Sequence, residues 1–453
     1  MKSYPQYKDS GIEWIGEVPE GWVVKKIKFL ALNDNALFLD GDWIESKDIV
    51  FDDSQIRYIT TGNIGEGKYK EQGVTYITEE TFKKLNCTEI YPGDLLISRL
   101  NPPIGRCCIV PDLGNRIVTS VDNVVLRPDS NYLKPFLKYA MSNPKYYEYT
   151  SLIARGATMQ RISRGLLGNV ELPVAVDDVE QTAIANYLDR KTAELDRLVA
   201  NKGRLIELYE EKKTAVINQA VTKGLVPDAP MKPSGIDWLG DLPAHWGVMK
   251  LKYLVAKIGS GVTPKGGAST YQLSGIPLLR SQNIHFDGLK LDDVAYISEE
   301  IHENMSGSKV HSGDVLLNIT GASIGRCYFV DETLGEANVN QHVCIIRPTE
   351  AIETKFLYLV LRSGVGQIQI SLEQTGGGRE GLNFEALGSF EIPFMKDEDE
   401  QTTIVQHIET ECSRLDAIID KFKKQIDLLK EYRTTLIFEV VTGKIDVRDE
   451  VVQ

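Results

Sequence analysis

The chain has 453 residues, 42% hydrophobic and 25% charged, with a formal net charge of -13, the profile of a soluble protein long enough for two or three domains. No apolar run approaches the length needed to cross a bilayer and Met1-Lys2-Ser3-Tyr4 opens no secretory signal, so a cytoplasmic protein with no membrane partner is expected. The acidic total argues against indiscriminate nucleic-acid binding while leaving room for a local basic surface, and six cysteines without a CxxC pair read as reduced thiols rather than a disulfide framework.

The chain opens with a Trp-rich arm, SGIEWIGEVPEGW at residues 10–22. β-type runs follow, punctuated by Gly, Asn and Asp: IRYITTGNI from Ile56, GVTYIT from Gly73, DLLISRL from Asp94, CCIV from Cys107 and RIVTSVDNVVLRP from Arg116. A helix is predicted near Lys134, then a glycine-containing stretch, ARGATMQRISRGLLGN, and the strand VELPV. From Glu180 to Thr222 runs one Pro-free helical pattern with apolar residues at coiled-coil spacing, Leu188, Leu195, Leu198, Leu205, Tyr209 and Val216.

All of this then recurs. SGIDWLGDLPAHW at residues 234–246 repeats the arm, and from Asn63 and Asn283 onward the two copies keep a constant shift of 220 residues. The second helix, Glu400 to Thr442, carries Ile408, Leu415, Ile418, Phe422, Leu429, Tyr432 and Leu436 at the same spacing. Two long helices that cover each other's apolar seams are favoured over a helical hairpin inside one globular domain. The duplication implies a pseudo-two-fold molecule suited to a two-part target.

The copies part at their loop tips. Arg99-Leu100-Asn101-Pro102-Pro103 stands opposite Ile319-Thr320-Gly321-Ala322-Ser323, between flanks that match. Ordinary loop drift would give this too; if the tips touch DNA, the halves should read different sequences, because readout depends on which donors and acceptors reach the groove. Residues 149–170 hold no acid, and beside Arg155 they carry the candidates Thr158, Gln160, Arg161 and Arg164, while residues 95–111 add the candidates Arg99 and Arg106. In the second half Arg326 matches Arg106, and RSQN offers Arg280, Ser281, Gln282 and Asn283. With Asn63, Asn101, Asn318, Thr320, Arg379 and Asn383 these candidates form the DNA-contacting set, residue types suited to base edges and phosphates. A merely solvated face is the competing reading.

Catalytic patterns dissolve on inspection. Asn101-Pro102-Pro103-Ile104 lacks the aromatic residue that would stack on a flipped base, and Gly376-Gly377-Gly378-Arg379 lacks the Lys-Ser/Thr of a phosphate loop. All six histidines lie in the second half, so no His site is shared by both copies, and neither catalytic, cofactor-binding nor metal residues are assigned.

The SGIEWIGEVPEGW opening, the GDLLIS and IGRC segments, NQHVCIIRP, and above all the EQTAIANYLDRKTAELDRLV helix with its AVTKG ending closely resemble the specificity subunit of Type I restriction-modification systems, over nearly the whole chain. The resemblance implies an α+β fold: two homologous β-rich target-recognition domains, at 1–175 and 225–395, separated by two long helices, at 176–224 and 396–453, that form an antiparallel coiled coil. It implies a non-enzymatic, sequence-specific subunit reading a bipartite double-stranded DNA site. Its implied partners are two modification (methyltransferase) subunits and the restriction (translocase and nuclease) subunits, with S-adenosylmethionine, ATP and Mg2+ bound by those partners. The first half departs from the pattern at Ser120-Val121-Asp122-Asn123, where the second has Asn340-Gln341-His342. A scaffold assembling through the helices and a stand-alone DNA enzyme are the other classes; the scaffold would not need divergent tips, and the enzyme would methylate or cut unaided.

Overall fold

The computed structural model describes residues 2–33, 35–52, 56–156, 158–375 and 381–450. The chain divides into two compact units, Met1–Gly203 with Lys423–Gln453, and Arg204–Phe422. Each unit therefore takes part of both long helices, which run Asp178–Lys223 and Glu398–Val441.

In the first unit the arm folds as a hairpin, Tyr7–Asp9 against Glu17–Pro19, and leads into Trp22–Lys26, which pairs antiparallel with Glu171–Ala175. Between these lies an antiparallel sheet of β1 (Leu37–Asp40), β2 (Leu95–Ser98), β3 (Cys107–Ile109) and β4 (Asn123–Arg127), in the order β1-β4-β2-β3. Leu95, Leu96 and Ile97 form an unbroken apolar run because both faces of this sheet are covered. Leu95, Ile97, Val124 and Leu126 enter the core shared with the long helices, while Leu96, Val125 and Cys108 enter a second core on the opposite face. That second core is closed by a smaller sheet in which Ile56–Ile59 pairs antiparallel with Tyr76–Ile77 and parallel with Arg116–Thr119.

The second unit repeats the plan with β5 (Val255–Ser260), β6 (Val315–Asn318), β7 (Cys327–Phe329) and β8 (Val343–Pro348), in the order β5-β8-β6-β7. Buried carboxylates open the equivalent strands. Asp94 accepts two bonds from Arg127 (2.9 and 2.6 Å) and Asp314 two from Arg347 (2.6 and 2.8 Å).

The first turn of each long helix is bolted to its unit by the repeated Glu-Gln pair. Glu180 accepts from the indole of Trp22 at 3.1 Å, and Glu400 from that of Trp246 at 3.0 Å. Gln181, fully buried, accepts from Leu133 N at 2.7 Å and donates to Asn131 O and Ala175 O; Gln401 makes the same three bonds to Glu353 N, Ala351 O and Met395 O.

Within each unit the two helices run antiparallel. In the first, Leu188 and Leu195 share a core with Leu436, Ile437 and Val440, and Arg433 pairs with Asp196 at 3.0 Å. In the second, Ile217 and Val221 meet Ile404 and Ile408 in one core, and Lys213 pairs with Asp416. The heptad reading needs one correction: Leu198, Leu205 and Tyr432 are 41%, 39% and 44% exposed. The contact line instead passes through Lys202, which donates to Gln425 at 2.7 Å, and through the Tyr209 and Phe422 rings, 5.9 Å apart. A nearly straight helix drifts about 20° per heptad, so a strict 3.5-residue spacing leaves the interface along its length.

The buried glutamines give a direct test. Gln181→Leu or Gln401→Leu removes three hydrogen bonds to backbone groups around a buried position and should cost about 1–3 kcal/mol of stability. Urea unfolding of each variant should show its midpoint lowered; an unchanged midpoint would mean these bonds do not hold the helices to the units.

Candidate nucleic-acid interface

One end of the four-stranded sheet gathers loops that are far apart in sequence. Asp40 ends β1, Arg99 follows β2, Arg106 precedes β3 and Asp122 precedes β4. The arginine-rich stretch before VELPV is laid across this end. Arg161 exchanges main-chain bonds with Arg155 at 2.8 and 2.9 Å, Asn101 N donates to Gln160 O at 3.1 Å, and Ile162 N donates to Arg99 O at 3.0 Å. Ser163 then caps the short helix Arg164–Gly168 through Leu166 N. Asp40 lies 3.2 Å from Arg99 and 3.9 Å from Arg164, and Asp122 lies 2.8 Å from Arg161. Arg161 stands between two concavities of about 600 and 680 Å³, the first lined also by Arg99, Arg155 and Ser163, the second by Trp43, Tyr58, Thr60 and Ser120.

The same end of the second unit carries different chemistry. Ser260 ends β5, Thr320 lies just beyond β6, and His342 precedes β8. Thr263 donates to the Gln341 carboxamide, Gln341 Nε2 lies 2.9 Å from His342 Nε2, and His342 Nδ1 lies 2.6 Å from Thr320 Oγ1. If the amide donates to Nε2, the imidazole carries its proton on Nδ1 and donates it to Thr320, an assignment that rests on this network. The hydroxyl of Thr320 and the second amide proton of Gln341 then remain to be donated. Leu382 N bonds Ile319 O at 2.8 Å, where the first unit has Ile162 on Arg99.

The candidate residues separate into braces and free groups. Asn63 and Asn283 are buried, and their carboxamides are used up on their own loops: each accepts from a main-chain N–H at 2.9 Å (Thr60, Arg280) and donates to Lys70 O or Lys290 O. Arg99 is 5% exposed and donates to Val121 O, and Arg106 donates to the carbonyls of Thr61, Ile64, Leu100, Asn101 and Pro103. Burial holds both guanidiniums below the usual arginine range. Asn318 is buried on Ser281 O and Ser323 Oγ, and Asn383 caps the helix Phe384–Gly388. These six side chains are assigned to loop architecture, because the bonds each makes are to the chain itself. Asn101, Thr158, Arg161, Arg164 and Gln282 are exposed, and Gln160, Arg280, Ser281, Thr320 and Arg326 are half-buried. Arg280 and Gln282 both reach Asp293, through its carbonyl at 3.0 Å and its carboxylate at 2.9 Å. Arg379 lies outside the described residues.

Asp40 and Trp43 escaped the sequence reading, and Asp122 entered it only as a departure from pattern. An acid-free window is linear, whereas these carboxylates arrive from other strand ends; their one sequence signal is a position at the close or opening of a predicted strand. The division into braces and free groups is testable by melting. Arg99→Ala should lower stability by about 1.5–3 kcal/mol, the worth of hydrogen bonds to a charged group, whereas Arg164→Ala should stay within about 0.5 kcal/mol. Equal effects on the thermal midpoint would overturn the assignment.

No family model matches the chain. It is 28% identical over 349 residues to the specificity subunit of the Type I restriction enzyme EcoBI of Escherichia coli, spanning 75% of this chain and 70% of that one. It is 22% identical over 459 residues to the MjaIX specificity subunit of Methanocaldococcus jannaschii, spanning 96% of each. Among solved structures it shares its fold with a chain from work on complex assembly and conformational transition of the type I R-M system, with a TM-score of 0.71, 14% identity and coverage of 94% and 99%. The HsdS subunit from Thermoanaerobacter tengcongensis gives a TM-score of 0.54, 15% identity and coverage of 94% and 98%.

Proposed function

We propose that this chain, a specificity subunit of a Type I restriction-modification system, is the part of that complex that reads double-stranded DNA, each unit taking one half of a split, asymmetric site. The observation that carries this reading is the pair of equivalent sheet ends. The loops that form them keep their backbone bonds from one unit to the other, while the side chains change from an Arg-Asp cluster to a Thr-Gln-His chain. A fixed frame with exchanged donors and acceptors is what reading two different sequences requires. Arg164→Ala should then alter recognition of one half-site and His342→Ala of the other, each by about 1–3 kcal/mol if the group reads a base. Adenine-methylation mapping with the cognate modification subunit checks this, and a variant that disturbs both half-sites alike would contradict it.

The duplication supports two modification subunits, one per repeat, with restriction subunits added for cleavage. Leu208 and its repeat equivalent Leu428 are 44% and 62% exposed, apolar surface on each long helix that suits a protein partner. S-adenosylmethionine, ATP and Mg2+ are assigned to those partners. Purified chain alone should therefore transfer no methyl group from S-adenosylmethionine and cut no DNA; methylation that copurifies with it through successive chromatographic steps would sink this reading.

The helices set the spacer in this proposal, and their pairing dictates how to change it. Four residues inserted in one helix alone would break either the Asp196–Arg433 or the Lys213–Asp416 pairing, since each helix is gripped in both units. Four residues inserted after both Gly203 and Phe422 keep both pairs and add about 6 Å of helix, roughly one or two base pairs at about 3.4 Å each. The doubly inserted protein is expected to methylate the same half-sites across a longer spacer and the singly inserted one to lose activity. An unchanged spacer in an active double insertion would mean the helices do not fix the distance.

A further inference from the structure

Arg161 sits in an electrical setting unlike that of a phosphate anchor. Arg99, Arg106, Arg155, Arg161 and Arg164 gather at the first unit's sheet end, but Asp40 and Asp122 stand among them, and the Arg161 guanidinium lies 2.8 Å from Asp122. A carboxylate beside the DNA backbone opposes phosphate binding. A guanine edge carries no net charge and asks instead for a guanidinium held in one plane, where two N–H groups meet O6 and N7 together.

We propose that Arg161 reads a guanine in the first half-site and that Asp122 is a positioning residue that holds its guanidinium for that contact. The inference rests on the DNA-reading function proposed above and names the base class and the residues for one unit. Arg99 and Arg106 do not suit this role, because Arg99 is buried beside Asp40 with a bond to Val121 O and Arg106 gives its donors to loop carbonyls. Arg161 is different: its side chain is 44% exposed, and among the described residues its one ion pair is with Asp122. Its backbone is already fixed by the two bonds to Arg155 and by the bonds of its neighbours Gln160 and Ile162. Little ordering is left to be done on binding, which favours a directional contact. Trp43, 67% exposed, lines the concavity on one side of Arg161 and offers apolar surface for the flank of a base. The repeat-equivalent positions hold Gly381, His342 and Thr263, so those three positions offer the second half-site no guanidinium.

The test uses the complete methyltransferase complex and a duplex carrying its mapped site. Each guanine of the first half-site is replaced in turn by adenine or by 7-deazaguanine, which lacks the N7 acceptor. Wild type is expected to lose about 10- to 100-fold in affinity at one guanine. Arg161→Ala should erase discrimination at that position and leave the second half-site untouched. Asp122→Asn should shrink discrimination at that same position while tightening binding to DNA without the site, since a negative charge has been removed. A merely structural Asp122 would weaken all positions together and lower the melting temperature; in that event Arg161→Ala, an exposed side chain, decides the matter alone. Guanine discrimination unchanged in Arg161→Ala overturns the inference while leaving the proposed function standing. A wild-type complex with no sequence preference would overturn the proposed function itself.

Discussion

The structure depends on one contact made twice. Arg433 reaches Asp196 in the first unit and Lys213 reaches Asp416 in the second. Asp196 and Asp416 are equivalents in the sequence repeat, as are Lys213 and Arg433, so the helices exchange roles between the two pairs. A helix pair with this property must be antiparallel, and each helix must serve both units. Both pairs are only partly exposed, with Lys213 buried, and ion pairs that give up water gain little net stability, so their weight here is in fixing register. The energy comes from the apolar contacts on either side, Leu188 and Leu195 against Leu436 and Val440, and Ile217 and Val221 against Ile404 and Ile408.

From that register the rest follows in steps. The first turn of each helix carries Glu180-Gln181 or Glu400-Gln401, which fix a buried tryptophan and three backbone groups. Those bonds seat the strand that closes each unit, and the sheet buried on both faces presents its loop end in a fixed frame. Braces such as Asn63, Asn283 and Arg106 then use polar side chains to satisfy loop carbonyls and amides that strands would otherwise pair. Variation is tolerated at the tip side chains that are not among these braces.

The repeat made the architecture legible, since a shift of 220 residues ties Gln181 to Gln401 and Asp94 to Asp314 before any coordinates are known. The long helices were legible for the same reason, and their seam was not, because a 3.5-residue template overruns a helix of 3.6 residues per turn and misplaces Leu198 and Leu205. At the sheet ends, residue type alone misled. Asn63, Asn283, Arg99 and Arg106 look like base and phosphate readers in sequence, yet each is turned inward by a loop whose backbone needs partners. The clustering of Asp40 with Arg164 and of Asp122 with Arg161 is a tertiary fact, produced by strand order and invisible in any linear window.

That clustering bears on how affinity is shared within the proposed assembly. A chain of net charge -13, whose sheet-end arginines are partly matched by carboxylates, offers little of the sequence-independent attraction that comes from releasing counterions from phosphates. In the function proposed here this arrangement costs affinity and adds contrast, because a guanidinium beside a carboxylate has less to offer a wrong base. The Thr-Gln-His chain of the second unit likewise links its hydroxyl, amide and imidazole groups to one another. In the function proposed here, non-specific grip on the duplex therefore belongs to the partner subunits, and this chain supplies the difference between sites.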